Sequence, residues 1–300
     1  MQYSERTYPG NSTTDRSYLP GLPTAARLVV RLAATAAPAP IASAALGLFL
    51  TPPRRQVPER ETRWTWGTVP DEFHAAGRRL HGWSIGRGPT VLLVHGWGGR
   101  GSQLGSFVEP LVERGFRVVG YDGPGHGRSA GRRSSLPELA EAVRTVGAAS
   151  GPLVAVIAHS LGAAATTVAL DGGLDVGRVA YLAAPARLRY FIETFCAALG
   201  LPQTVERRMV RRIERRFSIR LAALDGTAIA YRRALPPALL VHDRADRDVP
   251  FAQSRELAEA WPAASLIATG GLGHRGILRD RAIVDRVVAF VSGDGATGGR

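Results

Sequence analysis

The sequence of 300 residues contains no lysine, a single cysteine and only 7% aromatic residues. The single cysteine, Cys196, excludes an internal disulfide framework, fits a reducing compartment, and is expected to be a small buried side chain. Arginine supplies all the positive side-chain charge and brings the formal net charge to +13 at pH 7, a surplus that could attract anionic substrates or membrane headgroups. The arginines are spread along the chain with few aromatic residues between them, so we predict no nucleic-acid binding.

Motifs for metals and cofactors are also missing. The sequence has no HExxH pattern, no cysteine pair and no acidic loop of the EF-hand type, so it predicts no metal site. The glycine-rich stretches "GWGGRG" (96–101) and "GHGRSAG" (125–131) match neither a dinucleotide fingerprint nor a phosphate loop. We therefore expect no cofactor.

The N-terminal region contains the longest uncharged stretch. Residues 1–24 are polar and read as a disordered arm, whereas Leu32 to Pro53 carries no charge over 22 residues. That length could span a bilayer, but Pro38 and Pro40 interrupt the segment and most of it is alanine. Two interpretations stay open: a helix pair that packs on the domain or lies at an interface, and a membrane anchor through residues 32–53. We expect a cytoplasmic protein, with membrane association as the alternative.

The rest of the chain alternates between strand-like and helical patterns. Strands are predicted at 90–96, 116–123, 153–160, 178–184, 238–243 and 265–270, with an earlier antiparallel strand at 81–88. Helices are predicted at 103–114, 136–148, 161–171, 252–260 and 277–292. Continuous apolar runs are typical of strands buried on both faces of a parallel sheet. The pattern predicts an α/β fold with a doubly wound, mostly parallel sheet.

One interval breaks this alternation. Residues 185–236 contain helical patterns and no strand candidate, which predicts a small helical cap inserted late in the sheet. We expect an N-terminal arm and apolar helical segment at 1–61, an α/β domain at 62–292 that contains the cap, and a flexible tail at 293–300.

The cap carries both apolar and basic stripes. An apolar stripe repeats every four residues at Val205, Met209, Ile213 and Phe217, and six arginines cover the rest of that helix. The arginines are interpreted either as a solvated face or as a basic rim for anionic substrates or lipid. Phe191, Phe195 and Ala197 suggest either an apolar acyl pocket or an ordinary helix core.

The stretch "VAVIAHSLGAAAT" (154–166) places Ser160 between a predicted strand and a helix, among very small residues. The pattern small-x-Ser-x-Gly at such a junction is typical of a nucleophile elbow, where bulky neighbours would clash. An alternative is that Ser160 is only a helix N-cap. A nucleophilic serine needs a base and an orienting acid, and His274 and Asp246 follow later strands at the same sheet edge. Asp248 remains the fallback for the acid.

Five motifs in order carry a family resemblance: "HGWGG" (95–99), "YDGPGHGRS" (121–129), "AHSLG" (158–162), "HDRADRDVP" (242–250) and "GLGHRGIL" (271–278). Over residues 62–292 the chain resembles the α/β-hydrolase superfamily, in its esterase- and lipase-like members. The resemblance implies Ser160 as nucleophile, His274 as general base and then acid, and Asp246 as the residue that orients it. It also implies that the backbone N–H groups of Trp97 and Leu161 form the oxyanion hole.

The resemblance departs from its pattern at Ala158, where glycine is usual, and at Asp243, where glycine is common. Three functions are compatible with these residues: a serine hydrolase of carboxylic esters with an apolar acyl part, a thioesterase, acyltransferase or peptidase of the same fold, and a catalytically inactive binding scaffold. Aspartate-dependent hydrolases of the fold are disfavoured, because they need a carboxylate at the position of Ser160.

Overall fold

A computed structural model describes residues 4–5, 22–54, 56–62, 64 and 67–294. Within these residues the strands are β1 (Ser4–Glu5), β2 (Val69–Ala75), β3 (Arg78–Ile85), β4 (Thr90–Val94), β5 (Arg117–Tyr121), β6 (Leu153–His159), β7 (Arg178–Leu182), β8 (Ala238–Asp243) and β9 (Ala264–Thr269). The helices are α1 (Thr24–Ala36), α2 (Pro38–Phe49), α3 (Glu59–Thr62), α4 (Val108–Glu113), α5 (Leu136–Ala149), α6 (Leu161–Asp171), α7 (Arg189–Leu199), α8 (Gln203–Phe217), α9 (Gly226–Arg232), α10 (Phe251–Ala260), α11 (Gly273–Gly276) and α12 (Arg281–Ser292).

The strands form one sheet in the order β1-β9-β8-β7-β6-β4-β5-β3-β2. The first seven strands in this order, β1 through β5, are parallel to one another. The last two differ, because β3 runs antiparallel to both β5 and β2. Every residue of β4 and β8 is buried, as expected for parallel strands covered on both faces. The predicted doubly wound, mostly parallel α/β sheet is confirmed.

Two apolar cores lie on opposite faces of this sheet. Along β6, Val156 and Ala158 face the core shared with α5, α6 and α10, and Ala155 and Ile157 face the core shared with α4 and α12. This alternation follows from the two-residue period of a strand. The carboxyl ends of the parallel strands consequently meet at one edge, where the loops that carry the predicted site residues begin.

Between β7 and β8 the chain is helical, with α7, α8, a 3-10 turn at Leu221–Leu224 and α9. Val205, Met209 and Ile213 of α8 are buried, which leaves its arginines on the outer side. A third apolar cluster joins α7 and α8 to α2 and to Leu161 and Ala164 of α6. The helical insertion therefore packs directly on the helix that follows Ser160.

The uncharged N-terminal segment is not one continuous helix. It is divided between α1 and α2, which are separated by Ala37, and Pro38 occupies the first position of α2. None of the helices in the described ranges is long and apolar enough to cross a membrane. Most of the predicted arm at 1–24 and of the tail at 293–300 lies outside the described residues.

A glycine in β5 marks one of the tightest contacts of the core. Gly120 pairs with the buried Trp83 of β3, and a Cβ atom on Gly120 would overlap the indole ring. We expect Gly120→Ala to lower the free energy of unfolding by about 1–3 kcal/mol, because the ring can move only against a packed core. Gly270→Ala is the matched control, since no atom outside residues 269–271 lies within 4 Å of the added methyl group. Urea denaturation of both variants measures the effect, and equal stabilities would contradict the prediction.

Candidate active site

Ser160 occupies a strained turn between β6 and α6. Its φ and ψ angles are 53° and −124°, a region that side-chain-bearing residues rarely adopt. Such a conformation costs about 1–3 kcal/mol and persists only where the surrounding structure enforces it. The Ser160 N–H donates to the carbonyl of Leu182 in β7, which anchors the turn to the sheet.

The neighbours of Ser160 are small because backbone crowds the turn. A Cβ atom on Gly162 would overlap the carbonyl oxygen of His95, and Ala158 and Ala163 are almost fully buried. Ser160 stands at the N-cap position of α6, yet its hydroxyl accepts no hydrogen bond from that helix. Ser160 therefore occupies the N-cap position that the alternative interpretation gave it, but its hydroxyl does not cap the helix.

The glycine-rich turn after β4 lies against Ser160. A Cβ atom on Gly96 would come within 3.0 Å of the Ser160 Cβ. His95 holds this turn, because its Nδ1 lies 2.7 Å from the Gly96 carbonyl and its Nε2 accepts the Gly123 N–H at 2.8 Å. Burial lowers the pKa of His95, and a neutral ring with its proton on Nδ1 satisfies both bonds.

The two predicted oxyanion donors follow these two turns. Trp97 comes directly after Gly96, and Leu161 comes directly after Ser160 and opens α6. Among the residues that the structure describes, neither N–H has a hydrogen-bond partner. Both amides are therefore available to a ligand.

The structure brings Asp246 and His274 together. Asp246 follows β8, and its Oδ2 lies 2.7 Å from Nδ1 of His274. Both side chains are buried, at 0% and 3% exposure. His274 lies in the four-residue helix α11, which begins at Gly273. The last long helix begins only at Arg281, four residues after the predicted start at residue 277.

Asp246 is held by further hydrogen bonds. Its Oδ1 accepts the N–H groups of Asp248 and Val249, at 2.8 and 2.9 Å. Burial by itself raises the pKa of Asp246, but hydrogen bonds from His242 and His274 outweigh it and hold the pKa far below the usual carboxyl range. At neutral pH, Asp246 is consequently a carboxylate.

The other carboxylates of this loop have different surroundings. Asp243 accepts hydrogen bonds from the Ala245 N–H, the Thr269 hydroxyl and the Leu272 N–H, at 2.9, 2.7 and 3.0 Å. It therefore ties the loop after β8 to the end of β9. Asp248, the predicted fallback, bonds to Asp246 through its backbone.

His159, the residue before Ser160, contacts His274. The two rings lie 4.6 Å apart, and Nε2 of His159 is 2.9 Å from the backbone oxygen of His274. Burial, and then repulsion from His274, lower the pKa of His159 well below its ordinary value, so it is a neutral donor to that carbonyl. This contact places His274 beside the turn that holds Ser160.

His242 is a second histidine that the sequence did not single out. It is fully buried, with Nε2 3.2 Å from Asp246 Oδ2 and 2.9 Å from the Val249 carbonyl. Its Nδ1 lies 2.7 Å from the hydroxyl of Ser254, which donates to the Ala184 carbonyl. The motif "HDRADRDVP" contains both His242 and Asp246, four residues apart, but their spacing does not reveal that the chain folds back between them.

We expect His242→Gln to lower kcat by about 10- to 100-fold with KM within about twofold, because a small displacement of Asp246 is transmitted to His274. Steady-state kinetics measures this split. The exposed His74, changed to Gln, is the control and should keep full activity. A His242→Gln enzyme with unchanged kcat would show that His242 does not position Asp246.

A cavity of about 440 Å³ lies beside the glycine-rich turn. Its lining includes Gly98 and Gly99 but none of Ser160, Asp246 and His274. The apolar side chains predicted for an acyl pocket do not lie together: Phe195 is buried in the cluster with α8, whereas Ala197 is exposed.

In the described part of the chain, no group of three histidine, cysteine or acidic side chains is arranged to hold a metal ion.

Curated relatives match only parts of the chain. A segment of 44 residues is 54% identical to the pimeloyl–acyl-carrier-protein methyl ester esterase of Methylococcus capsulatus, and covers 15% of this chain and 17% of that protein. A segment of 81 residues is 42% identical to the enzyme of the same name from Chromobacterium violaceum, and covers 26% of this chain and 30% of that protein. The chain thus matches less than a third of the length of these relatives.

Solved structures match far more of the chain. An esterase from Pyrococcus furiosus has a TM-score of 0.61 at 18% identity, over 80% of this chain and 98% of its own. An esterase from Exiguobacterium antarcticum has a TM-score of 0.57 at 16% identity, over 74% and 99%. At such identities the likeness establishes the fold. A family model described as the alpha/beta hydrolase family matches residues 91–286. The protein therefore belongs to the alpha/beta hydrolase family.

Proposed function

We propose that this protein is a serine hydrolase of carboxylic esters, with Ser160 as nucleophile, His274 as base and Asp246 as the orienting acid. The observation that carries the proposal is the 2.7 Å contact between buried Asp246 and His274, beside a serine held in a strained turn. A nucleophilic serine needs a base that a third group orients, and the ionised Asp246 orients His274 in this way. Backbone strain at a single residue is typical of functional sites.

The chemistry follows from the proton positions. Because Nδ1 of His274 donates to Asp246, Nε2 is free to accept the Ser160 proton while Oγ attacks the ester carbonyl carbon. The tetrahedral intermediate collapses when His274 returns that proton to the leaving alcohol, and an acyl-serine ester remains. The same histidine then takes a proton from water while the water oxygen attacks the acyl carbon. The acyl–Oγ bond breaks, the acid is released, and His274 returns the proton to Oγ of Ser160.

The N–H groups of Trp97 and Leu161 would stabilise the oxyanion of both intermediates. A donor of this kind typically lowers the barrier by about 3 kcal/mol, because it is already oriented when charge develops. The positive end of α6 adds to this effect at Leu161, the first residue of that helix.

We propose an ester with an apolar acyl part as the substrate. Leu161 and Ala164 of α6 face the apolar cluster of α2, α7 and α8, so the surroundings of Ser160 favour a hydrocarbon chain over a charged group. The curated relatives are named for a methyl ester carried on a protein, which is compatible with this class. The second candidate is a thioesterase, acyltransferase or peptidase of the same fold.

Two assays test the proposal. A fluorophosphonate probe should label the protein at Ser160, as peptide mass spectrometry would show. Initial rates on p-nitrophenyl esters of graded acyl length, compared with the matching acyl-thioesters, should favour the esters. Labelling with faster thioester cleavage would select the second candidate, and the absence of both labelling and turnover would make the protein a binding scaffold.

A further inference from the structure

Helix α1 turns an apolar face to the outside of the protein. Leu28, Val29 and Leu32 are 59, 65 and 63% exposed, whereas Ala34 is the one buried residue of this helix. The three side chains lie on one face, because residues one and four positions apart project within about 100° of each other. Within the described residues, three of the seven exposed large apolar side chains lie on this helix.

The stretch of sequence around this face carries positive charge and no negative charge. The sequence has no acidic residue from Arg16 to Pro58, and α1 contributes Arg27 and Arg31. Arg212 of α8 donates a hydrogen bond to the Ala39 carbonyl at the beginning of α2, at 3.0 Å. The arginines of α8 thus approach the corner where α1 meets α2.

Three further arginines extend this corner into a stripe. Arg208, Arg215 and Arg216 lie one helical turn from Arg212, and all three are exposed. The two acidic residues of α8 are engaged elsewhere: Glu206 pairs with Arg189 at 2.7 Å, and Glu214 accepts the Leu221 N–H at 3.0 Å. The stripe consequently retains a net positive charge.

We propose that the outer face of α1 and the arginine stripe of α8, together the α1/α8 surface, bind the surface of a bilayer that contains anionic phospholipid. Exposed leucine and valine side chains beside arginines are typical of helices that lie in the plane of a membrane interface. The apolar side chains enter the acyl boundary while the guanidinium groups reach the phosphates. This mode needs no membrane-spanning helix.

Two other occupants fit the charges less well. A second copy would bring arginine stripes of the same sign together, which is unfavourable. Residues 1–21 contain two acidic and two basic side chains and a single leucine, so their composition offers no net negative charge and little aliphatic area. An anionic lipid surface supplies both.

Docking at the α1/α8 surface would also bring the protein to its substrate, an inference that rests on the proposed ester hydrolysis. The apolar cluster that contains Ala42 and Ala45 of α2 continues through α7 and α8 to Leu161, next to Ser160. A lipid ester held at the α1/α8 surface would therefore lie against the helices whose apolar side chains pack next to Ser160.

Vesicle co-sedimentation tests the proposal, with phosphatidylcholine vesicles alone and with one quarter phosphatidylglycerol. The wild-type protein should sediment at least tenfold more strongly with the anionic vesicles, and 0.5 M NaCl should abolish the difference. The triple variant Leu28→Ser, Val29→Ser, Leu32→Ser and the triple variant Arg208→Glu, Arg215→Glu, Arg216→Glu should each lose at least tenfold in binding.

Matched controls separate this surface from general hydrophobicity and charge. The control for the apolar face is Val69→Ser, which removes an equally exposed apolar side chain on β2. The control for the stripe makes the same charge change on α10 and α12, with Arg255→Glu, Arg281→Glu and Arg286→Glu. Both control variants should bind as the wild type does. Circular dichroism and Tm verify that each variant is folded. Equal binding by the surface variants and their controls would overturn the proposal, as would a concentration-dependent dimer that the leucine variant abolishes.

Hydrolysis of a water-soluble p-nitrophenyl ester distinguishes the two proposals. A protein that sediments with anionic vesicles but does not cleave this ester contradicts the proposed function and supports docking. A protein that cleaves the ester but shows no preference for anionic vesicles contradicts docking alone.

Discussion

Ser160→Ala is expected to lower kcat/KM for ester substrates by at least about 10⁴-fold and to leave the fold unchanged. Removal of Oγ eliminates the atom that forms the acyl-enzyme, whereas the backbone of the turn and its bond to Leu182 remain. Because the hydroxyl caps no N–H of α6, its loss should not weaken that helix. Initial rates with a p-nitrophenyl ester and thermal unfolding measure the two effects.

The exposed Ser265, changed to alanine, is the matched control and should retain full activity and fluorophosphonate labelling. Labelling should disappear in Ser160→Ala. A Ser160→Ala protein that cleaves esters at the wild-type rate would exclude Ser160 as nucleophile and, with it, the acyl-enzyme route.

Asp246→Asn is expected to lower kcat by about 10³- to 10⁴-fold, whereas Asp248→Asn should keep kcat within about threefold. An amide at position 246 cannot stabilise the imidazolium that forms during attack, and it allows His274 to place its proton on the wrong nitrogen. The 2.7 Å contact to His274 belongs to Asp246, and Asp248 touches Asp246 through its backbone N–H.

Steady-state kinetics of the two asparagine variants decides between these carboxylates, and fluorophosphonate labelling at long times verifies that Ser160 is still in place. If Asp248→Asn loses activity and Asp246→Asn does not, the orienting acid is Asp248. Equal, small losses in both variants would show that His274 needs no carboxylate partner, which would contradict the proposed mechanism.

Much of the fold could be predicted because its signals are local. Buried parallel strands such as β4 are continuous apolar runs in the sequence. The small residues around Ser160 are a second local signal, because they allow neighbouring backbone to approach the turn closely. The β6–α6 junction was predicted to within one residue for the same reason. Strand ends on a parallel sheet face one edge, so the convergence of Asp246 and His274 could also be anticipated.

Other features depend on contacts between distant parts of the chain. His242 and His159 carry no signal in their spacing, and each acquires its partner only when the loops after β8 and β9 meet the turn at Ser160. Helix α11 was missed because four residues show no periodicity. The exposed face of α1 also depends on distant neighbours, since the sequence left open whether the N-terminal helix pair packs on the domain or lies at an interface.

The sequence alone determined the α/β sheet, the order of its elements along the chain and the three residue types that an acyl-transfer site needs. The reason is that buried strands and tight turns each depend on a few consecutive residues. The tertiary structure decided which carboxylate meets His274, how His242 and His159 surround that pair, and which face of α1 is left uncovered. His159 and His274, for example, are 115 positions apart in the chain, and only the packing of the sheet and its helices sets the distance between them.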